Sequence, residues 1–341
     1  MLMFVQLCSV LTCGVSLRSV LEWLPTLRAN MRRLPIASVR IWQQRTFPKM
    51  AGAPASLRSV STAATAPINY SVEVPGKRVG RYINSEDTGE LADVHEEKLV
   101  AFGNARELQT PANLEKQCFE LRNHATAVKN FKDSDEVKRV YFPEMEALVK
   151  AATGAEQVFL FDHTIRDGSS GAGLNVTKPG DAAAPVFRVH TDYSDTSGPA
   201  RVKTLAESGD YFSAEQQTEI LSRDFCIVNV WRNISAEPVQ SNPLAVLDPA
   251  SIDKKEFLVY EMQYPDRAGQ NFALKYNSSH KWYFYPLMEK EECLIFKTWE
   301  KRTDRPRYCF HTAFTDPATP ATAPGRSSIE IRSIAIMPKS V

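Results

Sequence analysis

The chain has 341 residues, of which 43% are hydrophobic and 24% charged, with a formal net charge of +1. This composition is typical of a globular protein with room for one large β-rich domain. Residues 1–65 hold eight Lys or Arg and one acid, so the remainder is mildly acidic. A nucleic acid is therefore not expected as a partner, because phosphate binding needs a basic surface.

Residues 1–65 are predicted to be a basic N-terminal extension without ordered structure. Its apolar start, Met1 to Leu17, is shorter than the roughly 20 residues that a membrane helix needs, so no membrane span is predicted. Arg18 to Arg58 is rich in Arg and Ser, as mitochondrial presequences are. Two interpretations stay open. Residues 1–49 are a presequence of a mitochondrial protein, or they are an artefact of start-site choice before Met50 and the protein is cytoplasmic.

Residues 66–341 are predicted to form a single domain, mainly β with flanking helices. Tyr70 to Arg106 is polar and is expected to wrap the core as an arm. Helices are predicted at 111–127, at 133–152 with a stop at Gly154, at 198–207 and at 213–222. Strands are predicted at 156–162, 224–232, 244–247, 257–263, 271–276, 281–285, 292–297, 307–314 and 328–337. Short strands separated by Pro and Gly favour a jelly roll or sandwich over a parallel sheet.

A candidate metal site begins with His-x-Asp at the end of the apolar run from Phe187 to Tyr193. His190 and Asp192 share a face, because residues i and i+2 of a strand point the same way. His311, in a second aromatic run, is the candidate third ligand. Two histidines and one carboxylate are the ligand set of many non-haem Fe(II) oxygenases. A histidine hydrogen-bonded to a local carboxylate would show the same spacing without a metal.

A candidate carboxylate anchor follows His311 in the chain. Arg326 and Ser328 share one strand face, and a guanidinium offers two parallel N–H donors to a carboxylate. Together with the metal ligands, this pair indicates 2-oxoglutarate as a cosubstrate. Arg332, on the same face, is the fallback anchor, because the spacing from His311 to Arg326 is longer than is common in related oxygenases.

Several blocks of the sequence, between about Tyr70 and Pro338, resemble the hydroxylase/desaturase family that includes the aspergillic acid pathway oxygenase, a gibberellin desaturase and a cephalosporin methoxylation protein. The blocks are Phe161–Arg166, Val189–Tyr193, Asn229–Arg232, Pro243–Ala245, His311–Phe314 and Arg326–Glu330. The resemblance implies a double-stranded β-helix (jelly-roll, cupin-like) core. It also implies a dioxygenase that uses Fe(II), 2-oxoglutarate and O₂ to hydroxylate or desaturate a small molecule of specialised metabolism.

Candidate substrate contacts are Arg166, Tyr193 and Trp231, for which an internal ion pair or core packing is the competing interpretation. The loop between Gly168 and Pro185, rich in Gly, Ser, Ala and Pro, is expected to contact the substrate or act as a lid.

Two other classes of function stay open. One is a cupin-like metal isomerase or lyase without 2-oxoglutarate, in which Arg326 would form an internal ion pair, for example with Glu330. The other is a non-catalytic jelly-roll binding protein, in which Asp192→Ala would leave ligand binding and biological activity intact.

Overall fold

The computed structural model describes residues 64–83, 89–167 and 184–339. The expected presequence, nearly all of the expected N-terminal extension and most of the loop at 168–185 lie outside the described residues. Within the described ranges, no helix combines the length and the apolar character that crossing a bilayer requires.

The described residues form strands and a smaller number of helices. The strands are β1 (Ala64–Ser71), β2 (Arg78–Tyr82), β3 (Leu91–Ala92), β4 (His95–Asn104), β5 (Phe119–Asn123), β6 (Gln157–Asp167), β7 (Phe225–Asn233), β8 (Leu244–Leu247), β9 (Phe257–Gln263), β10 (Ala268–Leu274), β11 (Trp282–Phe284), β12 (Glu292–Glu300), β13 (His311–Ala313) and β14 (Ser327–Ile336). The helices are α1 (Phe142–Thr153), α2 (Ser197–Ser208) and α3 (Ala214–Ser222). A turn of α-helix (Ser134–Glu136) and a π-helical turn (Val137–Tyr141) lead into α1.

The strands form a jelly roll, as predicted. One wall has the order β1-β4-β11-β8-β13, and β10-β9-β2-β3 continues it. The segment at His190 connects these two parts, because His190 bridges both Ala273 of β10 and His311 of β13. The opposite wall has the order β5-β12-β7-β14-β6. Most neighbouring strands are antiparallel, as is typical of this fold.

Strand β7 shows why the opposite wall is stable. All nine of its residues are buried, because both faces of the wall are covered. Ile227 packs into the core between the two walls, whereas Val228 and Val230 pack with Met145 of α1 on the outer face. The continuous β-prone run at 224–232 therefore forms the central strand that the sequence predicts.

The prediction that Tyr70 to Arg106 wraps the core as an arm is wrong. This segment is part of the first wall. Strands β1 and β4 pair over their whole length, and β4 also pairs with β11. Ala66, Ile68 and Phe102 are buried while polar residues alternate with buried ones. The segment is polar on average because only one face of these strands meets the core. Strand β1 already begins at Ala64, two residues before the expected domain start.

The predicted helix from Pro111 to Ala127 is wrong. This segment contains a turn that ends at Cys118, which has a φ of 62°, and then β5. Phe119 lies opposite Phe296 of β12 and is completely buried. Pairing with β12 and burial of Phe119 outweigh the local helical preference, which is weak in comparison.

The other predicted helices are confirmed. Asp133 caps the segment that leads into α1 by accepting hydrogen bonds from the amides of Asp135 and Glu136, and Gly154 ends α1 in the left-handed conformation. The π-helical turn ends at Tyr141, and Pro143 lies in the first turn of α1. Ser213 and Gln216 form a capping box at the start of α3.

Candidate metal centre

His190 and His311 lie directly opposite each other across an antiparallel bridge. The amide of His190 donates to the carbonyl of His311 at 3.2 Å, and the amide of His311 donates back at 2.8 Å. Asp192 follows on the same face as His190. The ligand atoms of the three side chains all lie within 4.8 Å of one another. Asp192 Oδ1 is 4.0 Å from His190 Nε2 and 3.8 Å from His311 Nε2. The fold thus brings the three predicted ligands together.

Both imidazoles present Nε2 to the centre of this group. His190 Nδ1 donates to the carbonyl of Arg188 at 2.7 Å, and His311 Nδ1 donates to the carbonyl of Cys309 at 3.0 Å. A carbonyl only accepts hydrogen bonds, so Nδ1 carries a proton, and in the neutral ring Nε2 offers its lone pair. Burial, with His311 and Arg188 nearby, holds the pKa of His190 well below its usual value. His190 is therefore neutral, as a metal ligand must be.

Asp192 is held so that one oxygen faces the imidazoles. Its Oδ2 accepts hydrogen bonds from Asn229 Nδ2 at 2.7 Å and from Arg332 Nε at 3.3 Å. Burial alone would raise the pKa of Asp192, but Arg332, His311 and His190 hold it well below its usual value. The carboxylate is therefore ionised, with Oδ1 available to a metal. Asn229 has no predicted role, although an amide in the apolar run of β7 is a signal of one.

Arg332, the fallback anchor, has a guanidinium that is already bonded to side chains around the centre. Nη1 donates to Asp162 at 3.0 Å and to Thr164 at 3.1 Å, and Nη2 donates to Glu330 at 2.5 Å. Although burial disfavours its charge, Glu330, Asp192 and Asp162 raise its pKa well above the usual value. These contacts favour a role in positioning Asp192 over the fallback role as a carboxylate anchor.

A narrow inner cavity extends from the metal ligands into the protein. It is lined by Arg166, Val186, Trp231, Leu244, Ala313, Arg326 and Glu330, in addition to His190, Asp192, His311 and Arg332. Arg326 is 4% exposed and donates from Nη1 to the carbonyl of Asn242 at 2.8 Å. Its Nε and the hydroxyl of Ser328 are buried and have no partner among the described residues. Buried polar atoms are rarely left unpaired, so these two indicate a missing acceptor.

The charges around the inner cavity fit a metal with a dianionic ligand. Three arginines (Arg166, Arg326 and Arg332) are matched by three carboxylates (Asp162, Asp192 and Glu330), so the side chains are neutral together. A divalent cation and a dicarboxylate would also neutralise each other. Burial, with Arg166 nearby, lowers the pKa of Arg326 to about 9, so it stays protonated at neutral pH. The donor set therefore fits Fe(II) together with 2-oxoglutarate.

The three candidate substrate contacts occupy different places. Arg166 lies between the inner cavity and an outer cavity, and its Nη1 donates to the carbonyl of Ala184 at 2.8 Å. Tyr193 lines the outer cavity, where burial raises the pKa of its phenol. The ring of Trp231 lies 5.5 Å from the guanidinium of Arg326, and it lines the inner cavity but not the outer one. Trp231 thus adjoins the anchor residues rather than the outer cavity.

The outer cavity has a volume of about 610 Å³ and shares His190, Asp192 and Arg332 with the inner cavity. Its remaining wall includes Arg81, Asp93, Phe187, Arg188, Tyr260, Met262 and Tyr264. A neighbouring cavity of about 540 Å³ also reaches Asp192 and Tyr193, and Arg267 lies on its wall. A ligand in the outer cavity would have access to the metal ligands, and neither Arg326 nor Ser328 lines that cavity.

A jelly roll with two histidines and one carboxylate on an inner wall defines the class of non-haem iron oxygenases. The chain belongs to the family described as "Oxidoreductase/YMDC permease-like domain", which matches residues 61–336. The "Alpha-ketoglutarate-dependent dioxygenase phiK" of a fungal species (strain ATCC 74256) is 28% identical over 228 residues, which are 65% of this chain and 79% of that protein. The "Hydroxylase/desaturase efuI" of Hormonema carpetanum is 27% identical over 259 residues, covering 69% and 82% of the two chains.

A solved structure shows the same fold. The "iron and alpha-ketoglutarate-dependent endoperoxidase NvfI with different conformation" aligns with a TM-score of 0.69 and 23% identity, covering 82% of this chain and 100% of that one. The expected resemblance to hydroxylase/desaturases is confirmed by these relatives, as is the expected class, an Fe(II)- and 2-oxoglutarate-dependent oxidoreductase.

Proposed function

We propose that the protein is an Fe(II)/2-oxoglutarate-dependent dioxygenase that hydroxylates or desaturates a small-molecule metabolite of specialised metabolism. One observation carries the proposal. The ligand atoms of His190, Asp192 and His311 converge beside a cavity whose wall holds the buried, unpartnered donors of Arg326 and Ser328. The fungal relatives with 2-oxoglutarate dependence support the same assignment.

The proposed roles follow from the contacts. His190, Asp192 and His311 would hold the iron, and Arg326 and Ser328 would bind the distal carboxylate of 2-oxoglutarate in the inner cavity. When bound, iron and 2-oxoglutarate supply, with O₂, the oxidising chemistry.

The remaining contribution of the chain is positioning. Asn229 and Arg332 orient Asp192, and two backbone carbonyls orient the imidazoles. Arg166 and Tyr193 would contact the substrate from the wall of the outer cavity.

The alternative of a metal isomerase or lyase without 2-oxoglutarate makes a different prediction for Arg326. In that case Arg326 would form an internal ion pair, with Glu330 the expected partner. Glu330 instead accepts from Arg332 at 2.5 Å, and Arg326 has no ion pair within the described ranges. A buried guanidinium without a counter-ion is costly unless an anionic ligand completes it, which favours the oxygenase.

Turnover of 2-oxoglutarate tests the proposal. The purified protein is incubated with Fe(II), ascorbate, 2-oxoglutarate and O₂ together with a panel of terpenoid, peptide-derived and aromatic metabolites, and succinate is measured. We expect succinate from the wild type and none from Asp192→Ala. Succinate formation that survives Asp192→Ala would contradict the proposed metal centre. Failure of 2-oxoglutarate to bind the iron-loaded wild type would contradict the whole assignment, as would intact ligand binding and biological activity in Asp192→Ala.

We also propose that residues 66–341, together with Ala64 and Thr65 of β1, act as one domain with the preceding residues outside it, and that the protein is cytoplasmic. Cys118, Cys226, Cys293 and Cys309 are free and buried, which is compatible with a reducing compartment. A mitochondrial location is the alternative if residues 1–49 act as a presequence. Fluorescent fusions that begin at Met1 and at Met50 separate the two, since only a functional presequence would make the locations differ.

A further inference from the structure

Two arginines lie together on the wall of the outer cavity, away from the inner cavity and its anchor residues. Arg188 precedes His190 by two residues, and therefore points to the same side of the chain as that metal ligand. Arg81 comes from β2, which pairs with β9. Both line the same cavity as His190 and Asp192. The pair thus faces the space from which a substrate would approach the metal.

Each of these arginines has a buried N–H group without an acceptor. Nη1 of Arg188 and Nε of Arg81 are inaccessible to water and have no hydrogen-bond partner among the described residues. The guanidinium of Arg188 lies 3.7 Å from the ring centre of Tyr260. That contact satisfies the face of the guanidinium, but its N–H groups lie in the plane and still need acceptors. Stacking on Tyr260 therefore does not explain the pair by itself.

The local charges also point to an anion. Asp93 is the acid on this part of the wall, and its Oδ1 already accepts from the hydroxyl of Tyr260 at 2.6 Å and pairs with His95 Nε2 at 2.8 Å. Neither arginine forms an ion pair with Asp93 in the part of the chain that the structure describes. Burial and nearby Arg81, opposed by Tyr260 and Asp93, lower the pKa of Arg188 to about 10, so it stays protonated at neutral pH. Two cations therefore face one carboxylate that is already bonded elsewhere.

Part of the remaining wall is apolar. Phe187, Met262 and Tyr264 line the same cavity as the arginine pair. A ligand that fits this wall has an apolar body and one anionic end. Because Arg188 and His190 are about 7 Å apart along an extended chain, the anionic end would lie only a few bonds from the carbon nearest the metal.

We propose that the substrate is a carboxylic acid whose carboxylate is bound by Arg81 and Arg188, with its apolar body in the outer cavity. This inference rests on the proposed oxygenase function and adds the class of substrate to it. Two guanidinium groups can offer a carboxylate several charge-assisted hydrogen bonds, and an amide of the same shape cannot use them equally well.

The test compares decanoate with decanamide, which has a similar shape but no charge. Binding is measured by calorimetry, without O₂, to protein loaded with Fe(II) and 2-oxoglutarate. We expect saturable binding of decanoate that is at least about tenfold tighter than binding of decanamide. Arg81→Gln and Arg188→Gln should each weaken decanoate binding by about tenfold and leave decanamide binding unchanged. Arg267→Gln, on the neighbouring cavity, is the matched control and should change neither.

Several results would overturn the carboxylate site. They are no saturable binding of decanoate to the wild type, equal binding of acid and amide, unchanged binding of decanoate by both variants, or tighter binding of decyl phosphate than of decanoate. Thermal unfolding shows whether the two glutamine variants fold. A variant that does not fold is replaced by Arg81→Lys or Arg188→Lys, which keeps the charge.

Titration of the metal-free protein with decanoate and decanamide separates this inference from the oxygenase function. Selectivity for decanoate without any binding or turnover of 2-oxoglutarate would contradict the oxygenase and leave the carboxylate site. Binding and turnover of 2-oxoglutarate without selectivity for decanoate would contradict the carboxylate site and leave the oxygenase function.

Discussion

Asn229 Nδ2 donates a 2.7 Å hydrogen bond to Asp192 Oδ2, and this contact connects the two walls of the jelly roll at the metal centre. Asn229 belongs to β7 of one wall, whereas His311 belongs to β13 of the other. The two imidazoles and Asp192 lie on the wall that includes β13. The orientation of the carboxylate therefore depends on how the walls pack.

Removal of this hydrogen bond should weaken the metal site without removing a ligand. In Asn229→Ala, Asp192 Oδ2 keeps only the longer contact with Arg332, so Oδ1 is held less well. Loss of a partner that orients a ligand typically lowers metal affinity by about 10- to 100-fold, which we expect for Fe(II) or Co(II) titrations here. Asn233→Ala is the control, because Asn233 lies on the same strand and bonds to the carbonyl of Glu237. Equal metal affinities in the two variants would contradict the positioning role.

Arg326→Met should lower the affinity for 2-oxoglutarate and leave Fe(II) affinity unchanged. A hydrogen bond to a charged group contributes about 1.5–3 kcal/mol, so the dissociation constant should rise about 10- to 150-fold. Ser328→Ala removes a neutral donor and should raise it by less, about two- to tenfold. The measurement is anaerobic titration of the iron-loaded protein with 2-oxoglutarate. If Arg166→Met loses affinity for 2-oxoglutarate and Arg326→Met keeps it, the anchor role belongs to Arg166.

Sequence spacing alone identified the part of the site that depends on local geometry. His190 and Asp192 share a face because of the two-residue period of a strand, and the aromatic run at His311 indicated a second strand. Spacing could not choose among the partners of Arg326 and Arg332, because Glu330 lies between them in the sequence at an even number of residues from each. That choice depends on the register of β14 with β6 and β7, which sets the distance of each arginine from carboxylates on other strands.

Arg332→Met should lower the free energy of unfolding, because Arg332 pairs with several carboxylates at once. Arg332 is paired with Asp162, Asp192 and Glu330, and its removal leaves buried carboxylates without their cation. Breaking a buried ion pair by removing one partner typically costs about 3–5 kcal/mol, which we expect in the free energy of unfolding by urea. The exposed Arg267→Gln should change it by less than about 0.5 kcal/mol. A fully stable Arg332→Met that no longer binds 2-oxoglutarate would restore the fallback role of Arg332 as the anchor.

Glu256 should make the stability of the protein depend on pH in the acid range. Its Oε2 accepts from His280 Nε2 at 2.9 Å, its Oε1 accepts from Asn277, and His280 Nδ1 accepts from the hydroxyl of Tyr70 at 2.9 Å. Burial alone would raise the pKa of Glu256, but the bonds from His280 and Asn277 lower it below the usual 4.5.

The folded protein therefore holds this proton less tightly than the unfolded chain does. The contribution of Glu256 is complete above pH 4.5 and is lost as the pH falls through the lower pKa of the folded state. We expect the free energy of unfolding by urea to fall less steeply between about pH 5 and pH 3 in Glu256→Gln than in the wild type. Glu291→Gln, at an exposed position, is the control and should keep the wild-type slope. If Glu256→Gln shows the full slope, the network around Tyr70 and His280 does not stabilise the ionised carboxylate.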